Sequence, residues 1–139
     1  MESVKDEMLD IVGWYKNLPD DYIDINQLMY GRKQLATYSV TLGTEASRAR
    51  GKWKLYAMQL EVIKNQKRLQ NEVKGMGLTK ADWTARGNVV KELELATKWE
   101  VHFYDLEYVL RTVREVLGEM NQRISYLRAE QQQEEKFNN

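Results

Sequence analysis

The strongest constraint on the fold of this chain is a run of nine apolar residues that recur at spacings of three and four. The run comprises Trp99, Phe103, Leu106, Leu110, Val113, Leu117, Met120, Ile124 and Leu127. Residues at these spacings share one side of an α-helix, and a sustained repeat of this kind is typical of coiled-coil packing. The sequence therefore predicts a long helix with an apolar seam that another helix must cover. We expect the residues from Trp99 to Ile124 to form the core and the self-association contacts.

A second seam with the same spacings lies earlier in the chain. It comprises Ile25, Leu28, Arg32, Leu35, Ser39, Leu42, Ala46, Ala49, Trp53, Tyr56, Leu60 and Ile63. This seam predicts a long helix over residues 24–74. Asp24 is the expected N-cap, with Gln27 at the capping-box spacing. Ile23 and Leu28 are placed to form a hydrophobic staple across that cap.

Glycine residues suggest where this helix is interrupted and where it ends. Each glycine inside a helix costs about 1 kcal/mol relative to alanine, so a break near Gly43-Thr44 is one alternative to a continuous helix. Gly75-Met76-Gly77 is the expected terminator, because glycine adopts the left-handed conformation that ends many helices.

Two further helices complete the predicted fold. Residues 2–17 form a short amphipathic helix that ends at Leu18-Pro19, since the residue before proline is disfavoured in helical conformation. Another helix is predicted over 80–130, starting at a second capping-box spacing between Thr79 and Asp82. The tail 131–139 loses the apolar repeat and is expected to be frayed or disordered. The predicted fold is therefore all-α: one domain over residues 1–130, with a short helix followed by a long antiparallel helical hairpin.

Some large apolar residues lie outside both seams. They are Leu55, Met58 and Val62 on the first long helix and Val101, Tyr108, Val109 and Val116 on the second. A hairpin that hides one seam per helix leaves these side chains uncovered. The surplus predicts self-association or a docked partner.

The composition excludes several kinds of active site. The chain has no Cys and a single His, His102, so a thiolate metal site, a cysteine nucleophile and a multi-His centre are ruled out within one chain. No Gly-rich phosphate loop or metal motif is present. We therefore expect no enzymatic activity, metal or cofactor, and a structural role for His102. With no secretory signal and no apolar run long enough to cross a membrane, the expected location is the cytoplasm.

Charge is distributed unevenly along a chain whose formal net charge is zero. Residues 1–24 carry seven acids and two bases, residues 25–91 carry thirteen bases and four acids, and residues 92–139 carry ten acids and six bases. The net charges of these segments are −5, +9 and −4. A basic block of this kind attracts a polyanion even when the whole molecule is neutral. The alternative is that the block pairs with acidic flanks inside an oligomer.

The basic block is densest between positions 48 and 74. We predict a tip set of DNA-binding residues, Lys64, Lys67, Arg68 and Lys74, and a secondary patch, Arg48, Arg50, Lys52 and Lys54. Bases four apart on a helix repel one another unless an anion lies nearby, and contacts from Lys and Arg to phosphate give affinity that is independent of sequence and sensitive to salt. A solvated basic face is the alternative. Trp53, Tyr56 and Trp83 are candidates for stacking on bases, although the seam favours a core role for the first two.

The order of these segments resembles that of the phage recombination mediators of the UvsY type. An acidic N-terminal segment leads into "YIDINQLMY", and a long helix ends in the basic "IKNQKRLQNEVKG". A glycine-bounded turn and "LTKADW" follow, and a last helix runs from "LATKWEVHFYDL" to "ISYLRAE". The likeness covers roughly residues 20–130. The family's Lys-x-Arg DNA-binding element matches Gln66-Lys67-Arg68-Leu69, with its Arg at Arg68 and its first base at Lys67 or Lys64.

This resemblance implies a function and a set of partners. The expected function is recombination mediation: the protein would bind single-stranded DNA, form a hexameric or heptameric ring, and load a RecA-like recombinase in place of single-strand-binding protein. It would act in the cytoplasm of a phage-infected bacterium. The alternatives are a structural coiled-coil or virion assembly protein, and a phage inhibitor that binds a host protein through its acidic surface.

Overall fold

Three long segments of the described chain are α-helices. The computed structural model describes residues 2–75, 77, 80, 84, 87 and 89–138. The helices are α1 (Glu2–Lys16), α2 (Ile25–Val73) and α3 (Val90–Asn138), and no strand occurs among the described residues. The predicted all-α class is confirmed, and so is the packing of the two long helices against each other.

The α1–α2 connection follows the local sequence signals, with one exception. α1 ends just before Leu18-Pro19, and the Gln27 amide donates to Asp24 Oδ1 at 3.2 Å, as an N-cap requires. The predicted hydrophobic staple is wrong, because Ile23 is 72% exposed. Tyr22 takes its place in the packing: its ring lies edge-on to Trp14 at 6.3 Å between centroids.

α2 is continuous through Gly43-Thr44, so the alternative of a break there is wrong. Leu42, Ala46 and Ala49 are buried on both sides of this point, and their packing offsets the roughly 1 kcal/mol that a helical glycine costs. Thr44 also directs its hydroxyl to the Val40 carbonyl at 3.0 Å.

α2 ends where the glycine signal predicts. Gly75 has a φ of +89° and its amide donates to the Glu72 carbonyl at 2.9 Å, which is the left-handed termination that glycine favours. The predicted cap formed by Thr79 and Asp82 lies outside the described residues. α3 begins at Val90, and the Leu93 amide donates to the Val89 carbonyl at 2.9 Å.

α3 extends to Asn138 and so includes nearly all of the tail that was expected to fray. The side chains from position 128 to position 138 are exposed. Gln, Glu, Lys and Arg have high helix propensity, and no Gly or Pro interrupts them after Gly118. The helix therefore continues past Leu127, the last core residue, on a sequence of high helix propensity.

The contacts divide the chain into two compact units, where the sequence predicts one domain. The first unit comprises residues 1–45 and 106–139, and the second comprises residues 46–105. In the first unit the segments of α2 and α3 are antiparallel, since Arg32 Nη1 donates to Asn121 Oδ1 at 3.0 Å and Arg128 lies against Met29. In the second unit α2 and α3 are in contact, with Lys52 over Trp99 and Trp53 stacked on Phe103.

The core of the first unit absorbs part of the apolar surplus. Val109 and Val116 are 4% and 2% exposed, so the expectation that they are uncovered is wrong. The same unit also contains α1, which adds its own buried residues, Met8, Val12 and Tyr15, to the core. Tyr108, Val101, Leu55, Met58 and Val62 remain 46–70% exposed.

The predicted seams account for the rest of the packing. On α3, Leu106, Leu110, Val113, Met120, Ile124 and Leu127 are buried, and Trp99, Phe103 and Leu117 are half-buried. All twelve residues of the α2 seam are buried or half-buried as well. These side chains form the cores of the two units, and their proposed part in self-association stays a prediction.

Candidate nucleic-acid interface

The unbroken course of α2 aligns four of the eight predicted DNA-binding residues. Arg50 and Lys54 are one helical turn apart, as are Lys64 and Arg68. The second pair follows the first by fourteen residues, which is just under four turns and about 21 Å along the helix. We call these four residues the basic flank. A flank of this length suits a phosphate backbone running along the helix.

The basic flank differs in exposure from one end to the other. Arg50 and Lys54 are exposed, whereas Lys64 and Arg68 are half-buried. Lys64 Nζ lies 3.1 Å from Glu61 Oε2, and its side chain is 21% exposed. The tip set was favoured in part because its side chains need not be buried. In the structure Lys64, Lys67 and Arg68 are half-buried, so each of these side chains remains partly accessible.

Two polar nitrogen atoms at the Arg68 end of the flank lack hydrogen-bond partners. Arg68 Nε and Asn71 Nδ2 are both buried, and no acceptor in the described structure reaches them. Asn71 is only 6% exposed. A buried donor without an acceptor costs about 1–3 kcal/mol, and an oxyanion would remove that cost. Sequence analysis missed Asn71; the available signal was its position three residues after Arg68, on adjoining turns of one helix.

The other four predicted residues do not join the basic flank. Lys67 is half-buried and follows Ile63 by four residues on the seam side of α2. Lys74 is exposed in the turn after the helix. Arg48 and Lys52 are one turn apart on a different side of α2, and of these Arg48 is exposed. The basic flank therefore contains two residues from each predicted group. Arg50 and Lys54 come from the secondary patch, and Lys64 and Arg68 come from the tip set.

An aromatic cluster lies beside the Lys54 end of the basic flank. Trp53 stacks on Phe103 with 5.8 Å between ring centroids and lies 5.6 Å from Tyr104. Lys54 Nζ sits 4.0 Å from the Trp53 ring centroid. Trp53 is half-buried, in keeping with the core role preferred for it, while Tyr104 is 55% exposed. Tyr104 is therefore the accessible ring of this cluster.

Other described aromatic side chains near this cluster, including the candidate Tyr56, are less accessible to a base than Tyr104. Lys52 Nζ lies 4.3 Å from the Trp99 ring centroid, and His102 packs edge-on against the same indole. This packing accords with the structural role expected of His102. Tyr56 is half-buried, and Trp83 lies outside the described residues.

The described residues show neither a metal site nor a membrane span. Across residues 2–75 and 89–138, no three His, Asp or Glu side chains are grouped to hold a metal ion. No helix in the described part of the chain has the length and apolar character needed to cross a bilayer.

Comparison with known proteins identifies no relative of this chain. No protein-family model, no curated protein and no solved structure matches it.

Proposed function

We propose that this protein is a non-enzymatic recombination mediator that binds single-stranded DNA and helps to load a RecA-like recombinase in place of single-strand-binding protein. The observation that carries the DNA-binding part is the basic flank, Arg50, Lys54, Lys64 and Arg68, aligned along one continuous helix. The recombinase and the single-strand-binding protein enter through the resemblance to UvsY-type mediators.

The chemistry of the flank favours a flexible polyanion without sequence preference. Lys and Arg contacts to phosphate release counterions and read no base edges. The buried donors of Arg68 and Asn71 supply a place where one phosphate oxygen would be held more tightly than by an exposed base. Tyr104 is exposed beside Trp53, the ring on which Lys54 packs, and would stack on an unpaired base of a strand bound to the flank.

Self-association would make a weak site effective. Several flanks in one assembly hold a strand jointly, because each additional site binds at the effective concentration set by the first. The hexameric or heptameric ring implied by the resemblance would place such flanks at regular intervals. A mediator of this kind holds DNA without competing permanently with the recombinase, since each single contact is weak.

The test is salt-dependent binding of a fluorescent thymidine oligonucleotide, followed by anisotropy. We expect the logarithm of the binding constant to fall linearly with the logarithm of the salt concentration. Replacing all four residues of the basic flank by Ala should reduce that slope by about 3, since each lost phosphate contact contributes about 0.7 for single strands. The affinity at low salt should fall in parallel.

A matched control removes charge elsewhere. Arg111 and Arg114 are exposed on α3 in the first unit, and the double Ala variant should bind the oligonucleotide with the parental slope. Circular dichroism should show equal helicity for the parent and both variants. Equal slopes for the parent and the flank variant would refute the site, and salt-independent or absent binding by the parent would refute the function.

A second candidate function is a structural coiled-coil assembly protein. The observation that favours it is that part of the basic block already has partners within the chain. Lys52 and Lys54 lie over tryptophan rings, and Lys64 pairs with Glu61. On this hypothesis the parent assembles but shows no salt-dependent binding to the oligonucleotide.

A further inference from the structure

The two compact units carry opposite net charges of equal size. Residues 1–45 and 106–139 contain fourteen acids and nine bases, a net charge of −5. Residues 46–105 contain twelve bases and seven acids, a net charge of +5. Unit 1 of one molecule and unit 2 of another therefore attract each other, whereas like units repel.

The second unit presents an uncovered apolar stripe on α2. Leu55, Met58 and Val62 are 46%, 62% and 51% exposed and follow the spacing of a single helix side. With Gln59 and Ile63 they line a shallow groove of about 310 Å³. We call Leu55, Met58 and Val62 the α2 stripe. It lies away from Trp53, Tyr56 and Leu60, which belong to the intrachain seam.

The first unit presents an open groove between α1 and α2. The groove has a volume of about 370 Å³ and is lined by Asp10, Ile11, Trp14, Gln27, Tyr30, Gly31 and Gln34. Tyr30 is 64% exposed at its edge. Trp14 and Ile11 give it apolar walls, and Asp10 contributes negative charge. An apolar element flanked by bases therefore matches this groove in both hydrophobicity and charge.

We propose that the α2 stripe of one copy docks into the α1–α2 groove of a second copy, so that molecules associate head to tail. Charge selects this pairing: stripe against stripe brings two units of +5 together, and groove against groove brings two units of −5 together. Arg48, exposed two turns before Leu55 on α2, adds positive charge beside the stripe, and Asp10 supplies negative charge in the groove. A docked pair keeps an unused groove on the first copy and an unused stripe on the second, so the contact is heterologous and builds rings or chains of molecules.

This inference deepens the self-association included in the proposed function, and it leaves Arg50, Lys64 and Arg68 of the basic flank free for DNA. These three residues lie on a different helical side from Leu55 and Val62, whereas Lys54 is one turn from Met58 at the edge of the α2 stripe. One consequence is that salt should weaken assembly, since screening reduces the attraction between units.

The test uses two variants, each of which breaks one side of the contact. Met58→Gln with Val62→Gln disables the stripe, and Asp10→Lys with Tyr30→Lys disables the groove. All four positions are exposed, so the helices should persist. Sedimentation velocity at micromolar concentration should show the parent as an assembly and each variant as a monomer of 16.4 kDa. An equimolar mixture of the variants should form a species of twice that mass and nothing larger, because one intact junction remains.

The matched control is a substitution of an exposed apolar residue outside the α2 stripe. Val101→Gln changes an apolar residue of the second unit that is 54% exposed outside the stripe, and this variant should assemble like the parent. The proposal is overturned if the parent is monomeric, if the groove variant assembles like the parent, or if the mixture stays monomeric. Salt-dependent oligonucleotide binding, measured on the same samples, separates the two proposals: head-to-tail assembly without DNA binding overturns the proposed function alone.

Discussion

At the scale of single residues, Gly31 is the position where packing depends on the absence of a side chain. A Cβ at Gly31 would lie 2.9 Å from Trp14 Cζ3 and 3.4 Å from Met120 Cε. Alanine would gain about 1 kcal/mol in helix propensity but would displace the Trp14 ring of α1. We expect Gly31→Ala to lower the free energy of unfolding, measured by urea titration.

Two other glycines of α2 provide the comparison for Gly31. A Cβ at Gly43 or Gly51 meets nothing within 4 Å. We therefore expect Gly43→Ala and Gly51→Ala to stabilise the protein by about 0.5–1 kcal/mol. If Gly31→Ala were as stabilising as these two variants, the close packing of Trp14 on α2 would be wrong.

At the scale of elements, the interaction of Tyr38 on α2 with Glu7 on α1 makes the packing of these helices sensitive to alkaline pH. Hydrogen bonding to Glu7, followed by desolvation and the charge of Glu7, raises the pKa of Tyr38 above its ordinary value of 10.0. The neutral phenol is the form that the fold favours. Its contribution to stability is therefore complete below pH 10 and is lost as the pH rises through the raised pKa.

The prediction concerns the change in stability between pH 8 and pH 11. The free energy of unfolding of the parent should fall more steeply over this range than that of Tyr38→Phe, which has no hydroxyl to ionise. Tyr108→Phe alters a tyrosine that is 70% exposed and should follow the parental curve. Parallel curves for the parent and Tyr38→Phe would show that the α1–α2 bond does not contribute.

At the scale of the whole molecule, folding depends on burial of the α3 seam. Leu110 is 2% exposed, so Leu110→Asp would bury an unpaired carboxylate. We expect a loss of more than about 4 kcal/mol, measured as loss of helical circular dichroism at 25 °C. Tyr108→Asp, two residues earlier on the exposed side, should retain the parental spectrum. Retention of helicity by Leu110→Asp would contradict the assigned core.

Predictions from the sequence were confirmed where the interaction is local and were wrong where it depends on distant residues. Asp24, Pro19 and Gly75 act on backbone groups within a few residues, and all three mark the helix ends that they predict. Gly43 failed as a predicted break because its local cost competes with burial of Leu42 and Ala46. The staple at Ile23 failed because a ring fourteen residues from Leu28, that of Trp14, packs with Tyr22 instead.

Some features of the candidate site could be identified from the sequence, and others required the tertiary structure. Composition and spacing identified the basic segment of α2, including every member of the basic flank. They did not separate the flank from Lys67 and Lys74, because that distinction requires the helix to be continuous and its seam side to be known. Asn71 was missed, since an uncharged residue gives no electrostatic signal and its importance arises from burial next to Arg68.

The sequence by itself determined the helical class and the two seams, because apolar spacing along a helix is a local property that the 3.6-residue repeat converts directly into a buried side. Only the tertiary structure decided which surplus apolar residues stay exposed. Val109 and Val116 are covered in a unit to which α1 contributes, while Met58 and Val62 remain uncovered. That difference depends on which distant segment packs against each helix, and such contacts are set by the combined burial of three helices rather than by any one stretch of sequence.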